Sequence, residues 1–210
     1  MMANLSFYYG TMASGKTTKL LQDNYNYKKN GHKVIIMKPL IDTKGGNTIV
    51  SRMSAHANVD ILIGPNDRVL TKPNVNKFYD AKAILVDEAQ FLSTKQIKEL
   101  WMIAHVIDIS VICYGLKSDF KGMPFEGTTA LIGLADYKNE LTVNCECGNL
   151  AVFNARMVDG EYVLQGDTVA IDNSANISYV PLCGDCFLEK VVAKDKPNIL
   201  KLKKDFKKNN

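Results

Sequence analysis

Gly10-Thr11-Met12-Ala13-Ser14-Gly15-Lys16-Thr17 follows directly on the run Leu5-Ser6-Phe7-Tyr8-Tyr9, and this pairing of a short apolar strand with a glycine-bounded loop decides the fold. Its spacing carries a mechanism. The glycines let backbone N–H groups close around phosphate oxygens, Lys16 reaches the β- and γ-phosphates, and the Thr17 hydroxyl can ligate Mg²⁺. The stretch therefore predicts a phosphate-binding loop over Gly10, Thr11, Met12, Ala13, Ser14, Gly15, Lys16 and Thr17, with a nucleoside triphosphate as its ligand.

Downstream of the loop the chain alternates helix and strand patterns. Residues 17–29 read as a helix with Leu20, Leu21 and Tyr25 on its apolar face, stopped at Gly31 where a C-terminal cap is expected. Residues 34–37, closed by Pro39, and residues 83–86 and 109–113 are short runs apolar on both faces, which suits strands buried in a parallel sheet covered by helices. Ser93 and Gln96 form a capping box that opens a helix through Ile97, Leu100, Trp101 and Ala104. Residues 42–47, with Gly45-Gly46, and 117–126 read as loops. The expected fold is α/β: a P-loop (RecA-like) parallel-sheet nucleotide-binding domain over residues 1–140.

The second chemical landmark is Ile84-Leu85-Val86-Asp87-Glu88-Ala89-Gln90-Phe91. An acidic residue at the C-terminal end of an apolar strand can hold Mg²⁺ or its water shell beside Thr17, which assigns Thr17 and Asp87 to magnesium. Glu88 can then act as general base for the oxygen that attacks phosphorus. The competing reading is that Asp87-Glu88 merely caps the following turn. These motifs alone do not decide whether the attacking oxygen belongs to water or to a substrate.

Charge and composition narrow the class. Of 210 residues 46% are apolar, yet no run approaches bilayer-spanning length, so the expectation is a soluble cytoplasmic protein with one main core, no leader and no membrane partner. The formal charge of +4 is concentrated in a tail: residues 194–210 carry seven Lys and two Asp, which leaves 19 Lys+Arg against 20 Asp+Glu elsewhere. That tail reads as a solvated, disordered terminus rather than a polyanion site. An ATP-driven nucleic-acid protein, the competing function, calls for a basic stripe on the folded body. The body's charge of −1 argues for no nucleic-acid partner.

Four of the five cysteines fall in a Cys-x-Cys pair, Cys145 and Cys147, and a Cys-x-x-Cys pair, Cys183 and Cys186. Four thiolates so paired can ligate one tetrahedral Zn²⁺. Two disulfides or four unrelated thiols are the alternatives, and disulfides suit an exported chain. Cys113, inside an apolar strand, reads as a core residue. Between the pairs, residues 151–155, 162–164 and 168–171 read as short strands, so residues 141–193 are expected to form a small zinc-clamped β lobe.

Taken in order, Gly10 to Thr17, Asp87-Glu88-Ala89-Gln90-Phe91, Tyr114-Gly115-Leu116-Lys117-Ser118-Asp119-Phe120-Lys121-Gly122 and the four cysteines resemble the type II thymidine kinases, in their bacterial zinc-containing form, over about residues 4–192. The resemblance implies transfer of the ATP γ-phosphate to the 5′-hydroxyl of thymidine or deoxyuridine, with Glu88 as the base. It implies structural Zn²⁺, Mg²⁺ with ATP, a homotetramer and feedback by dTTP. The nucleoside is expected against Met12, Phe91, Leu116, Phe120, Phe125 and Tyr179, within a loop of the zinc lobe. Two departures stand out. The family's Asp-x-Arg is here Asp42-Thr43-Lys44, so Lys44, or Arg52 further along, is the candidate phosphate contact, and Lys lacks arginine's planar fork. The family's Ile-Gly-Gly turn is here Ile171-Asp172-Asn173.

Overall fold

In the computed structural model the described residues are 2–42, 46–51, 55–167, 176–196 and 198–200. Lys44, Arg52, the expected strand at 168–171, the Ile171-Asp172-Asn173 turn and most of the basic tail lie outside them. The chain divides into two compact units: Met1–Gly10, Gly15–Lys117 and Pro124–Leu141 form the first; Thr11–Ser14, Ser118–Met123 and Thr142–Asn210 form the second.

The first unit is built on six strands: β1 (Leu5–Gly10), β2 (Lys33–Pro39), β5 (Ile61–Ile63), β6 (Ala81–Val86), β7 (Ser110–Leu116) and β8 (Tyr137–Glu140). They lie in the order β5-β2-β6-β7-β1-β8 and every pairing is parallel. Alternate side chains of the central strands enter different cores. Ile35, Met37, Ile84, Val86, Val111 and Cys113 pack with Leu100, Ile103 and Ala104 of α3 (Thr94–Val106) and Leu131 of α4 (Glu126–Leu134). Val34, Ile36, Ala83, Leu85 and Tyr114 pack with Leu20 and Leu21 of α1 (Lys16–Lys29). Burial on both faces is why these strands read as continuous apolar runs.

Both predicted helix signals are present. Ser93 Oγ accepts from Gln96 N–H while Gln96 Oε1 accepts from Ser93 N–H, closing the capping box of α3. Gly31 has φ +75° just past α1. Two residues placed on apolar faces by periodicity are instead solvated: Tyr25 is exposed, with Asn24 buried in the adjacent position, and Trp101 leans on His105, ring centroids 4.6 Å apart and planes tilted by 44°, with 37% of its surface exposed. Elements of this unit that the sequence reading did not place are the hairpin β3 (Thr48–Val50) with β4 (His56–Asn58), the strand β5, the helices α2 (Lys72–Phe78) and α4, and the edge strand β8. Within the 117–126 segment, Asp119 Oδ1 accepts from Lys121 and Met123 N–H, making a compact turn, and α4 starts at Glu126.

The second unit carries a three-stranded antiparallel sheet, β10 (Glu161–Val163), β9 (Phe153–Val158) and β11 (Ile177–Leu182), in that order, followed by the short helix α5 (Gly184–Phe187). Its core is small: Ala151, Ala155, Leu182, Phe187 and Val191 with Cys145 and Cys183, and Phe153 stacked on Phe187 at 4.4 Å. A core of that size needs a further restraint to hold one shape. No helix among the described residues is long and apolar enough to cross a membrane.

Candidate active site and metal centre

In open parallel α/β sheets, ligand-facing groups collect beyond the C-terminal ends of the strands. Here that end of the first unit bears Gly10 at the close of β1 and Gly15 to Thr17 at the start of α1, Lys38 and Asp42 at the close of β2, and Asp87 and Glu88 just past β6. Gly15 has φ +85° and forms the N-cap of α1, a conformation that strains any residue with a Cβ. Lys16, buried at the start of α1, points its Nζ back to the carbonyl of Gly10 at 3.4 Å. Within the second unit, Ala13 also takes a positive φ of 65°, and the buried Ser14 Oγ has no hydrogen-bond partner among the described residues. A buried hydroxyl with no partner in the protein is open to one from outside it, a water or a ligand.

Thr17, Asp87 and Glu88, assigned from sequence to metal and base, line one small cleft of ≈ 60 Å³ together with Lys38, Asp42, Thr48, Ile49 and Val50. Burial and the charge of Glu88 push the Asp87 carboxyl up to about 7, helped by Asp42 and opposed by the Glu88 N–H and the Lys16 ammonium. Three carboxylates beside a threonine hydroxyl make an environment that a divalent cation relieves. Lys38, 1% exposed and 3.0 Å from Asp42, is a site residue that sequence reading passed over. Its signal was a cation at the end of the apolar run Val34-Ile35-Ile36-Met37, before Pro39.

Glu88 itself sits at φ +48°, ahead of a single 3₁₀ turn over Ala89–Phe91. Non-glycine residues in the left-handed region are uncommon and cluster at functional positions.

The six residues expected around a nucleoside divide between the units. In the first, Phe91 and Phe125 meet edge to face at 5.5 Å, both half-buried, and Leu116 ends β7. In the second, Phe120 and Tyr179 share one partner, Arg156. Its guanidinium lies 3.8 Å from the Phe120 ring centroid, and Tyr179 Oη accepts from its Nε and Nη2 at 3.1 and 3.0 Å. Met12 donates its N–H to Asn154 Oδ1 at 2.7 Å, while Asn154 Nδ2 donates to the Ser118 carbonyl at 3.2 Å. Asn154 and Arg156 are buried and were missed from sequence. The clue was two polar residues at i and i+2 of an otherwise apolar strand, which puts both on one face.

The candidate metal centre is built from two turns. Cys145 N–H donates to the Asn149 carbonyl and Gly148 N–H to the Cys145 carbonyl, folding Cys145 and Cys147 into a tight knuckle. Cys183 caps α5, which carries Cys186 round to the same side. All four Sγ atoms fall within 4.8 Å of one another, and none of the chain's cysteines is in a disulfide. Zn–S bonds of about 2.3 Å in a tetrahedron require Sγ separations of about 3.8 Å, so this donor set fits a metal such as zinc. Burial opposes ionisation of Cys145, but hydrogen bonds from neighbouring N–H and S–H groups outweigh it and bring its thiol down to about 7.

The thymidine kinase family model matches residues 3–187. The chain belongs to the thymidine kinase family. Relatives in it include the thymidine kinases of Novosphingobium aromaticivorans, 38% identical over 90% of this chain and 98% of that one, and of Shewanella oneidensis, 36% identical over the same shares. The thymidine kinase of Enterobacteria phage T4 is 36% identical over 87% of this chain and 94% of its own. Among solved structures, Bacteroides Pif1 bound to ssDNA overlays on 66% of this chain and 38% of that chain with 14% identity and a TM-score of 0.39, too slight a likeness to carry an argument. Membership of the thymidine kinase family makes this chain a kinase, and its strand-end carboxylates are the place to look for the chemistry.

Proposed function

We propose that this protein transfers the γ-phosphoryl group of ATP to the 5′-hydroxyl of thymidine, or of deoxyuridine, in the salvage of nucleosides in the cytoplasm. The observation that carries the reading is the shared cleft of Thr17, Asp87 and Glu88 in a chain of the thymidine kinase family. Glu88 accepts the proton of the 5′-hydroxyl as that oxygen bonds to the γ-phosphorus; the bond from phosphorus to the β–γ bridging oxygen breaks, and ADP leaves. Lys16 and the N–H groups of residues 10–17 hold the phosphates. Magnesium bound with ATP supplies charge neutralisation, and Thr17 and Asp87 are the residues to hold it. Lys44, or failing it Arg52, is the proposed further phosphate contact.

Phe91, Leu116, Phe125, Met12, Phe120 and Tyr179 remain the residues proposed for the nucleoside. Aromatic and aliphatic side chains suit a flat pyrimidine that is oriented by hydrogen bonds at its edge. Cys145, Cys147, Cys183 and Cys186 are proposed to hold one structural zinc. The family likeness also supports a homotetramer and feedback inhibition by dTTP. ADP formation measured with ATP alone, with added thymidine and with added single-stranded DNA tests the assignment. Dependence on thymidine supports the kinase, whereas dependence on DNA would replace it with a nucleic-acid-driven ATPase.

A further inference from the structure

The 3₁₀ turn after Glu88 folds the chain back so that Gln90 lies between Glu88 and the end of β7. Gln90 is 1% exposed. Its Nε2 donates to Glu88 Oε2 at 2.5 Å, and its Oε1 accepts from the Leu116 N–H at 3.0 Å. One carboxamide thus ties a carboxylate that lies beyond β6 to the backbone of the neighbouring strand. The strand has made room for it. A Cβ on Gly115 would lie 2.8 Å from Gln90 Oε1 and 3.1 Å from the Gln90 backbone nitrogen, so the position beside the carboxamide admits only glycine without displacement. Glu88 meanwhile holds an αL backbone at φ +48°, a conformation that persists only where the surroundings fix it.

We infer that Gln90 is a positioning residue for phosphoryl transfer, holding the Glu88 carboxylate at the angle from which it takes the substrate proton. A glutamate side chain has three rotatable bonds, and one left without a partner samples several rotamers. The Gln90 donor restricts Glu88 Oε2 to one place while leaving Oε1 for the incoming hydroxyl. The inference rests on the reading of Glu88 as the base, and it assigns Gln90 no contact with substrate.

The test is a double-mutant cycle on the full-length protein, with kcat and the KM values for ATP and thymidine measured at each corner. Gln90→Met removes both hydrogen bonds. Gln90→Glu keeps the length and an acceptor for Leu116 N–H and replaces the donor to Glu88 by a carboxyl oxygen, which when ionised also repels Glu88; thermal melts of both variants establish that each is folded before the kinetics are compared. Misplacement of a reacting group by about 1 Å costs up to about 10²-fold, so each variant should lower kcat by about 10- to 10²-fold and leave the KM for ATP within about 2-fold. In a Glu88→Gln background the same changes should lower kcat by less than about 2-fold, since the group they position is gone. An equal fall in both backgrounds, or no fall in either, overturns the inference and leaves the kinase reading intact. Normal turnover by Glu88→Gln alone strikes at the base assignment itself, a result the cycle distinguishes from failure of Gln90.

Discussion

Glu88 and Asp87 are adjacent in sequence and opposite in environment. Glu88 is half-buried and tethered through Gln90, whereas Asp87 is 6% exposed with Glu88, Asp42 and Lys16 in its field. Glu88→Gln should bind ATP with unchanged affinity while kcat falls by about 10²- to 10⁴-fold, the usual worth of a positioned base; stopped-flow binding beside steady-state turnover separates the two effects. Asp87 leads to a different expectation. Its carboxyl is raised to about 7 in the fold, from an ordinary value near 3.8, so between those pH values the folded state binds the proton that the unfolded chain has released. The contribution of this group to stability therefore falls as pH rises from about 4 to about 7 and stays low above that. Asp87→Asn should accordingly melt higher than the parent at pH 8 in the absence of nucleotide and metal, with the advantage shrinking toward pH 5, while its kinase activity is lost. Thermal melts across that pH range check the sign. A destabilised carboxylate retained at a strand end is the pattern expected where binding, not stability, sets the residue.

At the scale of elements, what was legible depended on whether a segment is decided by its own pattern or by its neighbours. Strands β1, β2, β6 and β7 could be read because both faces are buried, and the capping box of α3 because it is local chemistry. Ser93→Ala removes the half of that box accepted by Ser93 Oγ and should cost about 0.5 to 2 kcal/mol, seen in denaturant midpoints with kcat unchanged. The edge strand β8, Tyr-Lys-Asn-Glu, has no alternation to announce it, since its residues are largely solvated and it is held by backbone pairing to β1. The β3–β4 hairpin is built of three-residue strands, too short for a period to show. Tyr25 and Trp101 show the limit of helical periodicity, which fixes a face to within a residue and lets a bulky side chain at the margin turn outward. The candidate site divides in the same way. Glu88, Lys16 and the cysteines stand in motifs whose spacing is the chemistry, but Asn154, Arg156 and Gln90 act through partners 142, 23 and 26 residues away in the chain. A local window shows at most that Asn154 and Arg156 share one face of β9, and not what any of the three bonds to.

For the whole molecule, the division into a parallel α/β unit and a small β unit separates two kinds of stability. The first has two extensive cores; the second has a handful of apolar residues gathered round Cys145 and Cys183. Zinc bound to four thiolates contributes on the order of 10 kcal/mol, far more than a core of that size supplies. Cys183→Ser should reduce the metal content below one zinc per chain, leave the melting of the α/β unit largely in place, and raise the KM for thymidine more than that for ATP, because Phe120, Arg156 and Tyr179 belong to the weakened unit. Metal analysis by mass spectrometry together with paired kinetics checks all three. The central claim is the identity of the acceptor oxygen. Incubation with ATP labelled in its γ-phosphate, in the presence of thymidine or of 5′-deoxythymidine, tests it most directly: label should appear in thymidine 5′-monophosphate with the first and in no nucleotide with the second. Label released as inorganic phosphate at the same rate in both, or a phosphorylated product from 5′-deoxythymidine, would contradict the account.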